Sequence, residues 1–162
     1  DKEVGIIGGG NTAIEESEFI SKFASHITIV HQFDRLTANK TAQDKAFANP
    51  KITFLLESEP RMFEKAGDRM RTTVEHLKTG EKKVIESDGV FIFVGMSPNT
   101  SLFNTGLKVD QWGYIDTDED MKTSIDGVYA VGDVRSKKYR QITTAVADGT
   151  IAAIAITREI DV

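Results

Sequence analysis

The sequence predicts an α/β fold, in which a parallel sheet flanked by helices carries an antiparallel β-meander and is followed by part of a second unit. Three observations predict it. The short apolar run Val4–Ile7 leads directly into Gly8-Gly9-Gly10, a helix-prone stretch and a second apolar run, Ile27–Val30. Strand, glycine turn, helix and strand within about 30 residues make a βαβ unit, which requires a parallel, right-handed crossover. Two later runs, Val90–Val94 and Val128–Val131, are apolar throughout and end at Gly95 and at Gly132-Asp133; continuous apolar runs of this length read as strands covered on both faces.

The elements follow in order. Val4–Ile7 is the first strand. Asn11 to Ala24 reads as a helix, with Ala13, Ser17, Ile20 and Ala24 on one face and Glu18 and Lys22 as an i,i+4 pair on another. Ile27–Val30 is the second strand. A polar, helix-prone stretch from Thr41 to Asn49 is closed by Pro50, and Ile52–Leu56 is the third strand. Between Arg61 and Glu86, Arg71–Leu77 and Lys82–Ile85 read as strands joined by a turn at Thr79-Gly80, an antiparallel meander laid on the parallel sheet. Val90–Val94 and Val128–Val131 are expected to be buried strands. The last element, Gln141 to Ile160, is a long helix rich in small residues, Ala145, Ala147, Gly149, Ala152, Ala153 and Ala155. The boundary between units falls near residues 96–104, dividing the chain into 1–100 and 101–162.

Composition narrows the class. Hydrophobic residues make up 40% and charged residues 28% of 162, the balance of a globular chain rather than a disordered or membrane-embedded one. A formal charge of −5 gives no electrostatic reason to expect nucleic acid or an anionic membrane as partner. No apolar run approaches the roughly 20 residues of a membrane span, and no basic-then-apolar leader precedes Val4; the expected location is cytoplasmic. The sequence contains no cysteine, which removes disulfides, thiolate metal sites and cysteine nucleophiles from these residues. His26 and His76 have no partners at metal-ligand or triad spacing and are expected to be structural.

Three constellations carry chemistry. Gly8-x-Gly10-x-x-Ala13 lies directly after a strand and at the mouth of a helix. Gly8 permits the tight turn, Gly10 lets a pyrophosphate approach the backbone, and Ala13 allows close helix–strand packing. The helix N-terminus then offers free N–H groups to the phosphates. The second constellation is the end of the second strand, where such folds read the adenine ribose. An acid about 20 residues past the glycines selects NAD and an arginine accommodates the 2′-phosphate of NADP; the sequence offers His31-Gln32-Phe33-Asp34-Arg35-Leu36-Thr37. No acid stands at the strand end. Gln32 can bond ribose hydroxyls, while His31 and Arg35 fit a structural or a solvated role as well as a binding one. In the third, Gly132-Asp133 places a carboxylate at a strand's carboxyl end, where it can accept bonds from a sugar or ribityl chain, and Tyr139-Arg140-Gln141 opens the final helix.

Gly8-Gly9-Gly10-Asn11-Thr12-Ala13-Ile14-Glu15-Glu16, Gly95-Met96-Ser97-Pro98-Asn99-Thr100, Gly127-Val128-Tyr129-Ala130-Val131-Gly132-Asp133 and Tyr139-Arg140-Gln141 come in the order found in low-molecular-weight thioredoxin reductases. Phe23 to His31 and Gln43 to Pro50 are similar to that family too, so the resemblance covers essentially the whole chain. It implies a Rossmann-like FAD/NAD(P)-binding three-layer fold and a homodimeric FAD enzyme. Such an enzyme passes electrons through flavin to a Cys-x-x-Cys pair and on to thioredoxin or a thioredoxin-like protein. Carried over by position, Gly132, Asp133, Arg140, Gln141 and Ile142 contact FAD. Gly8, Gly10, Asn11, Thr12 and Ala13 line the nucleotide site, and Gly95 to Thr100 lie near a hinge; His31, Gln32 and Gly95 are also expected among the cofactor-binding residues.

Two departures from the family pattern matter. The family begins with a flavin domain that has its own glycine fingerprint, followed by the Cys-x-x-Cys pair; neither is present in this sequence. The chain is therefore expected to match a member without its N-terminal half, to hold none of the catalytic residues, and to be unable to reduce a disulfide alone. NADPH-using members carry His-Arg-Arg and a further Arg after the second strand, where this sequence has His31, Gln32, Phe33 and Thr37. A charge-assisted hydrogen bond from each such guanidinium is worth about 1.5–3 kcal/mol, so weak NADPH selectivity is expected. NADH, NADPH and ferredoxin all stay open as electron donors. Two other readings stand beside the disulfide reductase: a thioredoxin-reductase-like ferredoxin–NAD(P) reductase without thiol chemistry, and a non-enzymatic nucleotide-binding module.

Overall fold

A computed structural model describes residues 2–103 and 106–160. The chain opens with strand β1 (Lys2–Ile7), helix α1 (Asn11–Ile20), strand β2 (Ala24–Val30), helix α2 (Lys40–Ala48) and strand β3 (Ile52–Leu55). Strands β4 (Ser58–Ala66), β5 (Arg69–His76) and β6 (Lys82–Ser87) follow, then β7 (Gly89–Ile92). Past short 3-10 turns at Ser101–Phe103 and Gly132–Val134 the last element is helix α3 (Ile142–Ile160). Among the described residues, β3-β2-β1-β7 form one sheet with every pairing parallel, and β4-β5-β6 form an antiparallel sheet.

Alternation along the strands builds three layers, because successive side chains point to opposite faces. Val4 and Ile6 of β1, and Ile27 and Ile29 of β2, join Ala13 and Ile14 of α1 and Ala42 and Ala46 of α2 in one core. Ile7 and Val30 point the other way and meet Val74 and Ile85 of the meander, with Leu55 and Val90 beside them. The α/β architecture and the meander on the parallel sheet are thus as expected. Asn39 caps α2, its side chain accepting from the Ala42 N–H at 2.9 Å.

Four expectations need correction. Helix α1 stops at Ile20, and Ala24 belongs to β2. The helix tightens into i,i+3 bonds, Lys22 N–H to the Phe19 carbonyl and Phe23 N–H to the Ile20 carbonyl, which is how many helices end. Lys22 therefore leaves the helical track and lies over the Phe19 ring, while Glu18 accepts a bond from the Asn49 amide. The meander has three strands, not two: β4 turns into β5 through Gly67-Asp68, with Gly67 at φ +64°. The β4 strand carries five consecutive exposed residues, so no apolar alternation announces it. Strand β7 is an edge strand rather than a buried one, with Phe91 44% and Ile92 58% exposed. Val128–Val131 forms no strand; its one ladder pairing is an isolated bridge between Lys122 and Tyr129. An apolar run becomes sheet only where another strand pairs with it, and the described residues offer it none.

The chain divides into a compact unit ending at Gly95 and a second from Met96 onward. In the second unit, α3 buries Asp148, Ala152 and Ala155, and Ile115 bridges Val109 and Arg135. Among the described residues no helix is long and apolar enough to cross a membrane, and no group of histidines and carboxylates is arranged to hold a metal.

Candidate functional site

Parallel pairing brings the carboxyl ends of β1 and β2 side by side, and an open cleft of about 580 Å³ lies there. It is lined by Gly8–Gly10, His31–Phe33, Thr37, Ser58–Pro60 and Phe93–Gly95, so Gly8, Gly10, His31, Gln32 and Gly95 share one wall system. Gly8 has φ +129°, and a Cβ there would lie 2.2 Å from the Phe93 carbonyl oxygen. At Gly9 a Cβ would lie 2.5 Å from His31 Cγ, so the ring lies directly against the turn. A Cβ at Gly10 meets only Thr37 Oγ1, at 3.7 Å. Gly10 precedes α1 with no side chain capping the helix and no acid in its first turn. The amides of Asn11, Thr12 and Ala13, which follow the lining residue Gly10, lack the i−4 partners that later residues have, though none of the three is itself among the residues lining the cleft. The turn is braced from outside by Thr37 and Ala38, whose N–H groups donate to the Gly9 carbonyl at 2.9 and 3.2 Å. Asn11 points its side chain away, accepting from the Asn39 N–H at 2.7 Å.

His31 is buried, with an edge-to-face contact to Phe33 at 5.2 Å between ring centroids. Burial lowers its pKa, and a hydrogen bond with the Arg35 backbone only partly offsets this; the imidazole is neutral at neutral pH. Its Nε2 is buried and has no hydrogen-bond partner among the described residues. Gln32 is exposed at the rim. Arg35 is exposed and is not among the residues lining the cleft, and no lysine or arginine is.

The second unit holds the other sequence-predicted residues. Gly132 has φ +77°, and Asp133 beside it leaves more than half of its side chain in solvent, 3.9 Å from Lys137 Nζ. Arg140 lays its guanidinium 3.6 Å from the Tyr114 ring centroid and reaches the Asp133 carbonyl at 3.3 Å. Gln141 donates its N–H to Thr144 Oγ1 at 3.0 Å, and Ile142, which opens α3, is 85% exposed. Beneath them sits Asp148, only 6% exposed, accepting from the Gly132 N–H (3.0 Å), Arg135 Nη1 (3.0 Å) and Lys137 Nζ (2.8 Å). Burial alone would raise this carboxyl; Lys137, the Gly132 amide and Arg135 outweigh it and hold the pKa below the ordinary value.

The description of the pyridine nucleotide-disulphide oxidoreductase family matches residues 1–149. The chain belongs to this family. Among the oxidoreductases similar to it, a thioredoxin reductase of Peptoclostridium acidaminophilum is 43% identical over 159 residues, 94% of this chain and 50% of that one. A 34.2 kDa protein in the rubredoxin operon of Clostridium pasteurianum is 46% identical over 153 residues, again 94% of this chain and 50% of that one. Among solved structures, Lactococcus lactis thioredoxin reductase in its FR conformation superposes with a TM-score of 0.85 at 38% identity, covering 100% of this chain and 54% of that one. The resemblance to the low-molecular-weight thioredoxin reductases and the fold it implied are borne out. The chain spans about half the length of the curated relatives it matches.

Three residues outside the sequence-predicted set stand out. Gly9 is demanded by the His31 ring, and the triple glycine is its signal. Asp148 has no local signal, because its three partners lie 11 to 16 positions away in the chain. Glu59 lines the cleft from the start of β4, an element without a strand pattern in its residues.

Proposed function

We propose that residues 1–100 are the pyridine-nucleotide-binding domain, and residues 101–162 the C-terminal portion of the FAD-binding domain, of a homodimeric thioredoxin-reductase-type disulfide oxidoreductase. FAD is the group that relays electrons from a pyridine nucleotide toward the disulfide of thioredoxin or a thioredoxin-like protein. The observation carrying the nucleotide half is the Gly8–Gly10 turn. It is open where a phosphate would approach, leads into an uncapped helix, and lies in a cleft lined by no cation among the described residues. Gly10 and the amides of Asn11, Thr12 and Ala13 bind the pyrophosphate, Gln32 bonds a ribose hydroxyl, and His31 shapes the wall from below. For FAD, the residues fit by one feature: the exposed Asp133 carboxylate lies 3.9 Å from Lys137, beyond hydrogen-bond range. Asp133 then accepts from a ribityl hydroxyl. Arg140 holds the Asp133 carbonyl, and Gln141 and Ile142, at the start of α3, would be the further residues to contact the flavin.

Without a guanidinium in the cleft, the nucleotide site does not favour NADPH. Calorimetric titration of this chain with NADH and NADPH side by side, at fixed salt, tests the reading. Binding of NADH alone, or equally weak binding of both, is expected. A clear NADPH preference overturns the selectivity, and binding of neither by a folded sample overturns the nucleotide site.

A further inference from the structure

We propose that Glu59 is a specificity-determining residue of the cleft: its carboxylate takes the place of the missing strand-end acid, favouring dinucleotides with a free 2′-hydroxyl and disfavouring a 2′-phosphate. This rests on the nucleotide-site reading above.

The backbone puts Glu59 at the ribose end. Glu57 adopts φ +50°, turning the chain sharply after β3. Its N–H donates to the Phe33 carbonyl at 3.0 Å, and the Ser58 N–H donates to the His31 carbonyl at 3.0 Å. The Ser58 hydroxyl also donates to the Leu56 carbonyl at 2.8 Å. The segment entering β4 is therefore tied to the residues that follow β2, where this fold reads the ribose. The usual position for the acid, at the end of β2, holds Gln32.

The charge balance agrees. Glu59 is the one acidic residue among the described residues lining the cleft, and no lysine or arginine lines it. A carboxylate accepts hydrogen bonds and cannot donate them, so it matches ribose hydroxyls and repels a phosphate dianion. Glu59 also holds back the guanidinium nearest to it in sequence. Arg61 Nη1 donates to Glu59 Oε2 at 2.9 Å and Arg61 Nε to Glu75 Oε2 at 3.2 Å, so Arg61 is occupied on both sides. Loss of the Glu59 charge removes the repulsion and releases one side of Arg61. Both consequences favour the 2′-phosphate.

Titration of the chain and of its Glu59→Gln variant with NADH and with NADPH, at the same salt, is the test, with thermal unfolding confirming that the variant is folded. Wild type is expected to bind NADH about tenfold more tightly than NADPH, and Glu59→Gln to bring the two within about threefold, the size of effect one charge-assisted hydrogen bond produces. Adding Arg61→Met to Glu59→Gln separates repulsion from release, since released Arg61 accounts only for the part of the NADPH gain that the second change reverses. If both nucleotides bind and Glu59→Gln leaves their ratio unchanged, the role of Glu59 is overturned while the cleft stands as the nucleotide site. If the folded wild-type chain binds neither, the nucleotide site itself falls, and the role of Glu59 with it.

Discussion

Three consecutive glycines follow β1, and an added methyl group would meet something different at each. At Gly8 it meets a backbone oxygen at 2.2 Å from a left-handed φ, so neither rotamer change nor small shifts relieve it. Gly8→Ala is expected to destabilise the chain by about 3 kcal/mol. At Gly10 the space is open and φ is −83°, so Gly10→Ala should leave stability within about 0.5 kcal/mol while weakening nucleotide binding. Urea unfolding of both variants, with a nucleotide titration of Gly10→Ala, separates the structural glycine from the binding one. Asp148 calls for a different experiment. Its folded pKa lies below its unfolded value, so its stabilisation is fully present above the unfolded carboxyl range, near pH 4, and is lost as pH falls through the folded value. Asp148→Asn leaves Arg135 and Lys137 without their shared carboxylate and should cost about 3 kcal/mol at neutral pH. It should also flatten the acid side of the stability–pH curve, read by urea unfolding at a series of pH values. An unchanged acid limb would show that another carboxylate carries it.

At the scale of elements, the cleft depends on how α1 and α2 are joined as much as on the glycine turn. Asn39 serves two functions: its side-chain oxygen caps α2 at the Ala42 amide, and its N–H and amide nitrogen donate to Asn11 Oδ1 at 2.7 and 3.2 Å. The same amide reaches Glu15 at 3.0 Å. The cap of one helix therefore fixes the first side chain of the other, which borders the proposed pyrophosphate site. Asn39→Ala should cost about 1 kcal/mol through removal of the cap and weaken nucleotide binding through Asn11, both readable in a thermal melt with and without nucleotide. The meander contributes in a similar way: without the turn at Glu57 that leads into β4, neither Ser58 nor Glu59 would reach the end of β2.

For the molecule as a whole, both apolar clusters of the first unit and every described residue lining the proposed nucleotide cleft lie at or before Gly95. Residues 1–95 alone should therefore unfold cooperatively and bind nucleotide as the longer chain does, tested by circular dichroism and calorimetry on both; a tenfold loss of affinity would place part of the site beyond Gly95. The parallel sheet and the glycine turn are legible in the sequence because their signals are local: an apolar run, a turn that only small residues permit, and a helix start are written in consecutive residues. Glu59 and β4 are not legible, since an exposed strand has no apolar rhythm and its partners lie far along the chain. Val128–Val131 misleads for the opposite reason, a clear local signal with no strand beside it to pair with. By itself the sequence determined the βαβ unit, the glycine turn and the family, because each follows from which residues are adjacent and which backbone angles they allow. Only the tertiary structure decided which charges face the cleft, which arginines are already paired, and that Asp148 lies buried among cations. Those depend on distances between residues that the chain order leaves open until the layers pack.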